Sequence, residues 1–165
     1  MKNMMWCLLK SLCVTLLILK LAPAHADSDV KFHGTLVVVT CQVNQDKLVN
    51  VSFGEVGVKK IDGINYSASI PFVVTCNNLS GQGNPGLTLS VNGTAADFNE
   101  NAISTTVSGL GIQIMKDGVP LKLNTETEIS YVPQPTLTAV PVKADGVELS
   151  AGDFHATATL VVHVA

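Results

Sequence analysis

Apolar and polar residues alternate along most of the chain, and no stretch of a dozen residues repeats its apolar positions at the three-and-four spacing of a helix face. The pattern predicts strands throughout. Ala68, Ile70, Phe72, Val74 and Cys76 form one inward face, with Pro71 on the opposite parity, where a strand edge tolerates its missing amide hydrogen. Leu87, Leu89 and Val91 form the next, closed by the turn pair Asn92-Gly93. Leu110, Ile112 and Ile114 run into Asp117-Gly118 and are answered by Val119, Leu121 and Leu123, which predicts a hairpin. Asp62-Gly63 and Asp145-Gly146 mark further turns, and Gly81-Gln82-Gly83-Asn84-Pro85-Gly86 reads as a loop.

Two segments alternate in a way that an ordinary domain does not require. Near the start, Val30, Phe32, Gly34, Leu36 and Val38 share one face, whereas Val37, Val39, Cys41 and Val43 share the other. A cysteine that bridges within the core must face its own domain. The odd set therefore belongs to the first strand, and the even set needs another surface, unless a bulge resets the parity. At the other end Phe154, Ala156, Ala158, Leu160, Val162 and Val164 alternate with His155, Thr157, Thr159, Val161 and His163, and the strand is expected to run to Ala165. A long apolar edge with nothing after it to cover it is an aggregation hazard unless a partner occupies it.

Composition changes the picture mainly by removing a leader. Met1 to Lys10 holds two lysines, Leu12 to Leu19 is an apolar run, and Ala24-His25-Ala26 is a small-x-small cleavage site, so residues 1–26 read as a secretory signal peptide. The apolar run is too short to span a bilayer. The exported chain, residues 27–165, has seven lysines, no arginine and thirteen acids, which excludes a basic nucleic-acid binder. Its only thiols are Cys41 and Cys76, expected to form one disulfide in an oxidising compartment and to contribute roughly 3–4 kcal/mol by loop closure. Short strands at this spacing in one exported domain predict an all-β sandwich. The immunoglobulin signature itself is incomplete, since the exported chain has no tryptophan to pack on the bridge.

Candidate chemistry is sparse. His155 and His163 share a strand face but lie about 26 Å apart at ~3.3 Å per residue, too far to share a metal. Cys41 and Cys76 lack C-x-x-C spacing, and there is no phosphate loop or nucleophile motif. The pairs Asp27/Asp29 and Glu126/Glu128 read as solvated faces, and the N-x-S/T triplets at Asn50, Asn65, Asn78 and Asn92 as chance occurrences in an Asn-rich β-protein. No catalytic residue, metal, cofactor, small-molecule substrate or nucleic-acid partner is expected.

The ordered motifs carry a family likeness. The leader, the alternating extension Phe32-His33-Gly34-Thr35-Leu36, Cys41 soon after it, Val51-Ser52-Phe53-Gly54-Glu55-Val56, Pro71-Phe72-Val73-Val74-Thr75-Cys76, Leu110-Gly111-Ile112-Gln113-Ile114 and the closing stretch from Ala151-Gly152-Asp153-Phe154 to Thr159-Leu160 resemble a structural subunit of chaperone–usher fimbriae. The resemblance implies an immunoglobulin-like sandwich, residues 40–165, that lacks its last strand and is completed by a donor strand from a neighbouring subunit or chaperone. It implies that residues 27–39 are a donor-strand extension, with Val30, Phe32, Gly34, Leu36 and Val38 facing the acceptor. The groove edge and chaperone-binding strand would carry Phe154, Ala156, Ala158, Leu160, Val162, Val164 and Ala165. The implied partners are neighbouring fimbrial subunits, a periplasmic chaperone and an outer-membrane usher, on a route through the periplasm to the cell-surface fimbrium. The chain departs from the family's usual aromatic next to the C-terminus, ending His163-Val164-Ala165.

A magnitude supports this mechanism. Burying Val30, Phe32, Leu36 and Val38 at about 1.5–3 kcal/mol each gives roughly 6–12 kcal/mol as an upper figure, comparable to the ~5–15 kcal/mol of a whole domain. The exported chain leaves no room for the extra receptor-binding domain of a tip adhesin, so a structural and preferably minor subunit is expected. The rival is a free-standing secreted sandwich that binds a carbohydrate or protein ligand. That rival calls for exposed loop aromatics, whereas the exported chain has seven aromatics and Phe32, Phe72 and Phe154 fall on inward parities.

Overall fold

Each run of alternating residues becomes a strand only where a partner accepts its main-chain groups, and this decides where the strands begin and end. The computed structural model describes residues 28–78 and 85–164. The predicted leader, the first four residues of the glycine-rich loop and Ala165 lie outside the described residues. The chain divides into two units, Met1–Leu36 and Val37–Ala165. Of the first unit, residues 28–36 carry no strand or helix and are exposed throughout.

The second unit is all-β. Its strands are β1 (Thr40–Val43), β2 (Ala68–Ile70), β3 (Val74–Asn77), β4 (Leu87–Asn92), β5 (Ala95–Ala96), β6 (Asn99–Ser104), β7 (Leu110–Lys116), β8 (Val119–Pro120), β9 (Thr127–Ile129), β10 (Leu137–Lys143) and β11 (Thr159–Val164). Every ladder is antiparallel. The largest sheet runs β2-β10-β7-β6-β5, with β8 added to β7; a second runs β11-β4-β9, and β1 pairs with β3 alone. Leu87, Leu89 and Val91 of β4 meet Ile112, Ile114, Leu137 and Ala139 of the large sheet in one core cluster. Period-two alternation explains this, because it places one side-chain set of each strand on the shared inner face.

The inward set predicted around Pro71 is correct residue by residue, but it is not one strand. Ile70 pairs with Leu137 in the large sheet, whereas Val74 pairs with Val43 in the small one. The chain changes sheets over residues 71–73, at the proline that has no hydrogen to give a ladder. The Asn92-Gly93 pair also differs from expectation. Gly93 is not in the left-handed region a tight hairpin demands. Instead the chain crosses from β4 to the large sheet, and the Asn124 carboxamide holds the Gly93 peptide: Gly93 N–H donates to Oδ1 and Nδ2 donates to the Gly93 carbonyl, both at 3.1 Å.

The Asp117-Gly118 hairpin forms as predicted, with φ of 51° and 80° and Lys116 paired to Val119. Beyond Pro120 the ladder ends, although Leu121 and Leu123 are buried as expected. Strand β10, which the alternation did not single out, lies between β2 and β7 in its sheet and contains buried Pro141. It fits there because β2 covers only Leu137–Ala139, so β10 is an edge on that side further along.

A methyl group on Gly111, buried at the Ser104↔Gly111 end of the β6–β7 ladder, would meet the Ala102 Cβ at 3.1 Å and the Ile103 carbonyl oxygen at 3.3 Å. Gly111→Ala is therefore expected to cost about 1–3 kcal/mol in denaturant unfolding; an unchanged midpoint would show that the ladder yields freely. Asp117 accepts from the Thr136 amide and hydroxyl at 2.8 and 3.1 Å. That amide bond, with smaller help from Lys116, lowers its pKa. Because the folded value lies below the unfolded one, the stabilisation is complete above about pH 4 and is lost as pH falls through the lower folded value. Asp117→Asn should thus be less stable than the parent at neutral pH and equal to it in strong acid, as read from melts across that range.

Candidate functional site: a strand edge without a ladder

Strand β11 is held on one side only. It pairs with β4 from Thr159↔Asn92 to Val164↔Leu87, and among the described residues no strand pairs with its other side. Leu160 and Val162 pack against the core. The remaining edge presents main-chain donors and acceptors with no ladder, the property that makes a strand a template for another chain.

The opposite boundary is β1, whose one ladder is with β3. Cys41 and Cys76 stand directly opposite each other in that ladder, with Cα atoms 4.0 Å apart, and are joined by the expected disulfide. Cα atoms of β1 and β11 approach within 8 Å, yet the strands share no ladder. After β1, residues 47–53 alternate like a strand: Val49, Val51 and Phe53 are half-buried against the core, Leu48, Asn50 and Ser52 are exposed, and among the described residues no ladder includes them. The Phe53 ring lies 5.8 Å from that of Phe154, tilted by 36°, which ties this segment to the approach to β11.

The C-terminal alternation reads as unbroken from Phe154, but β11 starts five residues later. The cause is local. His155 N–H donates to the Thr106 hydroxyl and its carbonyl accepts from the Thr106 amide, both at 3.0 Å, so its main-chain groups are already engaged. Phe154 is half-buried, whereas Ala156 and Ala158 are exposed; the Ala158 methyl lies beside Gly93, just past the end of β4. Ala165 lies outside the described residues.

The alternating N-terminal residues are conspicuously unsheltered. Val30, Phe32, Leu36 and Val38 are 66%, 93%, 102% and 74% exposed. Gly34 has nothing within 4 Å of where a Cβ would stand, so no contact among the described residues requires a glycine there.

Other sites offer little chemistry. Among the described residues no three His, Cys, Asp or Glu side chains come together as metal ligands. An open depression of 480 Å³ is lined by Asp117, Glu128 and Gln134 among others, but Asp117 is engaged by Thr136 and Gln134 by Val74. Two residues that matter to the edge, Asn44 and Gln134, gave no signal in the sequence, because each acts on a peptide group 27 or more positions away. The 47–53 segment was legible in principle through the parity of Val49, Val51 and Phe53.

The family model described as fimbrial protein matches residues 30–165. The chain belongs to the fimbrial protein family. It is a structural subunit of a surface fimbrium, built among other fimbrial subunits, and not an enzyme. It is 39% identical over 154 residues to the fimbrial-like protein YfcQ of Escherichia coli (strain K12), covering 90% of this chain and 95% of the relative. Its fold is similar to that of the P pilus adaptor subunit PapF, with a TM-score of 0.58 at 21% identity over 76% of this chain and 95% of that one. It is also similar to the P pilus rod subunit PapA, with a TM-score of 0.57 at 19% identity over 83% of this chain and all of that one. These likenesses confirm the expected immunoglobulin-like pilin fold.

The one-sided pairing of β11 has a measurable consequence. In an antiparallel strand alternate amides point to opposite neighbours. Every second amide of β11 should be protected from hydrogen exchange by β4, and those between should exchange at least an order of magnitude faster, given that protection tracks hydrogen-bonded structure. Equal protection along the strand would mean that its second side is already covered.

Proposed function

We propose that this fimbrial subunit polymerises by donor-strand complementation, in which residues 27–39 of one subunit enter the space between β11 and the β1/47–53 boundary of the next. The observation that carries the reading is the pairing of opposites in one chain: a strand edge with no ladder, and an exposed segment whose apolar residues alternate. Strand addition satisfies both, since main-chain hydrogen bonds give affinity and alternate side chains give register. Val30, Phe32, Leu36 and Val38 supply the buried face, and Gly34 supplies the point of closest backbone approach. Phe154, Ala156, Ala158, Leu160, Val162, Val164 and Ala165 form the receiving edge.

Seating a strand between two others requires them to stand about 9.6 Å apart, twice the ordinary spacing. Some Cα pairs of β1 and β11 are within 8 Å. The incoming strand must therefore part the two edges, and the subunit without its donor is the narrower and less stable form. During export the same edge is covered by a periplasmic chaperone, which delivers the subunit to the outer-membrane usher. The exported sequence after a cleavable leader of residues 1–26 suits that route.

A peptide of residues 28–39, added in excess to the oxidised exported chain, should raise its thermal midpoint. At a hundred times the dissociation constant the gain is about 2.7 kcal/mol. Peptides carrying Phe32→Asp or Leu36→Asp should give far less. A cooperative monomer whose midpoint ignores the peptide would mean that the sandwich needs no donor, and the reading fails.

A further inference from the structure

Three consecutive residues with side chains, Asn44, Gln45 and Asp46, hold φ of 50°, 55° and 58°. L-residues avoid this left-handed conformation, and it persists only where the surroundings over-determine it. Here the surroundings are specific atoms. The β1–β3 ladder ends at Val43↔Val74, so the next pair in register is Asn44 with Val73. Asn44 N–H donates to the Val73 carbonyl at 2.8 Å, as a ladder residue would. Its own carbonyl, however, is engaged within the turn, accepting from Lys47 N–H at 3.1 Å. The Asn44 side chain takes over that missing role: Oδ1 accepts from Val73 N–H and Nδ2 donates to the Pro71 carbonyl, both at 2.8 Å.

The next peptide is held from elsewhere by the same device. Gln134 Oε1 accepts from Val74 N–H at 2.8 Å, and its Nε2 donates to the Val74 carbonyl at 2.7 Å. Main-chain groups of residues 71–74, where the chain passes between sheets, are thus fixed by two carboxamides. The same bonds fix the point and direction at which the chain leaves β1 and enters residues 47–53. Gln42 Nε2 donating to Asp46 at 3.2 Å adds a further tie across the turn.

We infer that Asn44 is a positioning residue for strand capture: its carboxamide stands in for a main-chain carbonyl, so that the chain can turn left-handed after β1 and present residues 47–53 along the open edge. This inference rests on the donor-strand reading above. It differs from a simple preference for residues that tolerate positive φ, because glycine satisfies that preference and makes neither side-chain bond.

The test compares the oxidised exported chain with its Asn44→Gly and Asn44→Asp variants. It follows capture of a fluorescent peptide of residues 28–39 by stopped flow, and amide exchange at Val73 and over residues 47–53. Asn44→Gly loses both side-chain bonds and should slow capture by about tenfold, within the range expected for two bonds of ~0.5–1.5 kcal/mol each, and should speed exchange at Val73 and 47–53 while the exchange pattern of β11 stays as in the parent. Asn44→Asp keeps the acceptor for Val73 and should fall between the two. A glycine variant that captures the peptide at the parent rate overturns the inference and leaves the donor-strand reading intact. A parent chain that captures no peptide brings down both. If the glycine variant does not fold, Asn44→Asp decides alone, and unaltered capture by it overturns the inference.

Discussion

Each strand residue other than proline carries a donor and an acceptor that must find partners, and among the described residues that obligation is left unmet by ladders along one side of β11. Much of the remaining architecture can be understood as holding that edge still. On its paired side β11 is bound over its whole length to β4, the strand whose Leu87, Leu89 and Val91 are among the most deeply buried side chains. The edge therefore rests on the core itself rather than on a mobile flap. On the far side β1 is a strand of four residues, too short to hold itself by pairing alone, and the Cys41–Cys76 bond links it to β3 in the middle of their ladder.

Side-chain carboxamides recur wherever a ladder stops short. Asn44 continues the β1–β3 ladder past its end, Gln134 covers the Val74 peptide, and Asn124 holds the Gly93 peptide where the chain leaves β4 for the large sheet. In each case the amide supplies both a donor and an acceptor, which is what a neighbouring strand would supply. Such bonds suit a sandwich divided into sheets of very unequal size, because a strand that changes sheets, as the chain does at residues 71–73, cannot be served by one ladder throughout. The result is a fold in which the small sheets are tied to fixed points although neither is closed.

A fibre subunit of this kind makes use of an incomplete sheet. Under the proposed mechanism, the exposed alternation at Val30, Phe32, Leu36 and Val38 and the open side of β11 are two halves of one structural requirement, distributed over different copies of the chain. The apolar area that an ordinary domain buries within itself is then buried between subunits, and the cohesion of the polymer draws on the same free energy as the folding of a domain. The approach of β1 to β11 adds a conformational step to that association, since an arriving strand must widen the space it enters.

Parity was the part of this protein written in the sequence. Which of Ala68 to Cys76 face inward, which of Leu110 to Ile114 do, the Asp117-Gly118 turn and the pairing of Cys41 with Cys76 all follow from period-two alternation, local φ preference and a count of thiols, and none requires knowledge of a distant residue. Partnership was decided by the tertiary structure. The split at Pro71, the crossing at Gly93, the late start of β11 and the roles of Asn44 and Gln134 depend on which peptide groups reach a given main-chain atom across separations such as 27, 31, 49 and 60 residues. A hydrogen bond is satisfied by position in space, whereas alternation records only which way a side chain points, so the sequence determined the faces and the folded chain decided the edges.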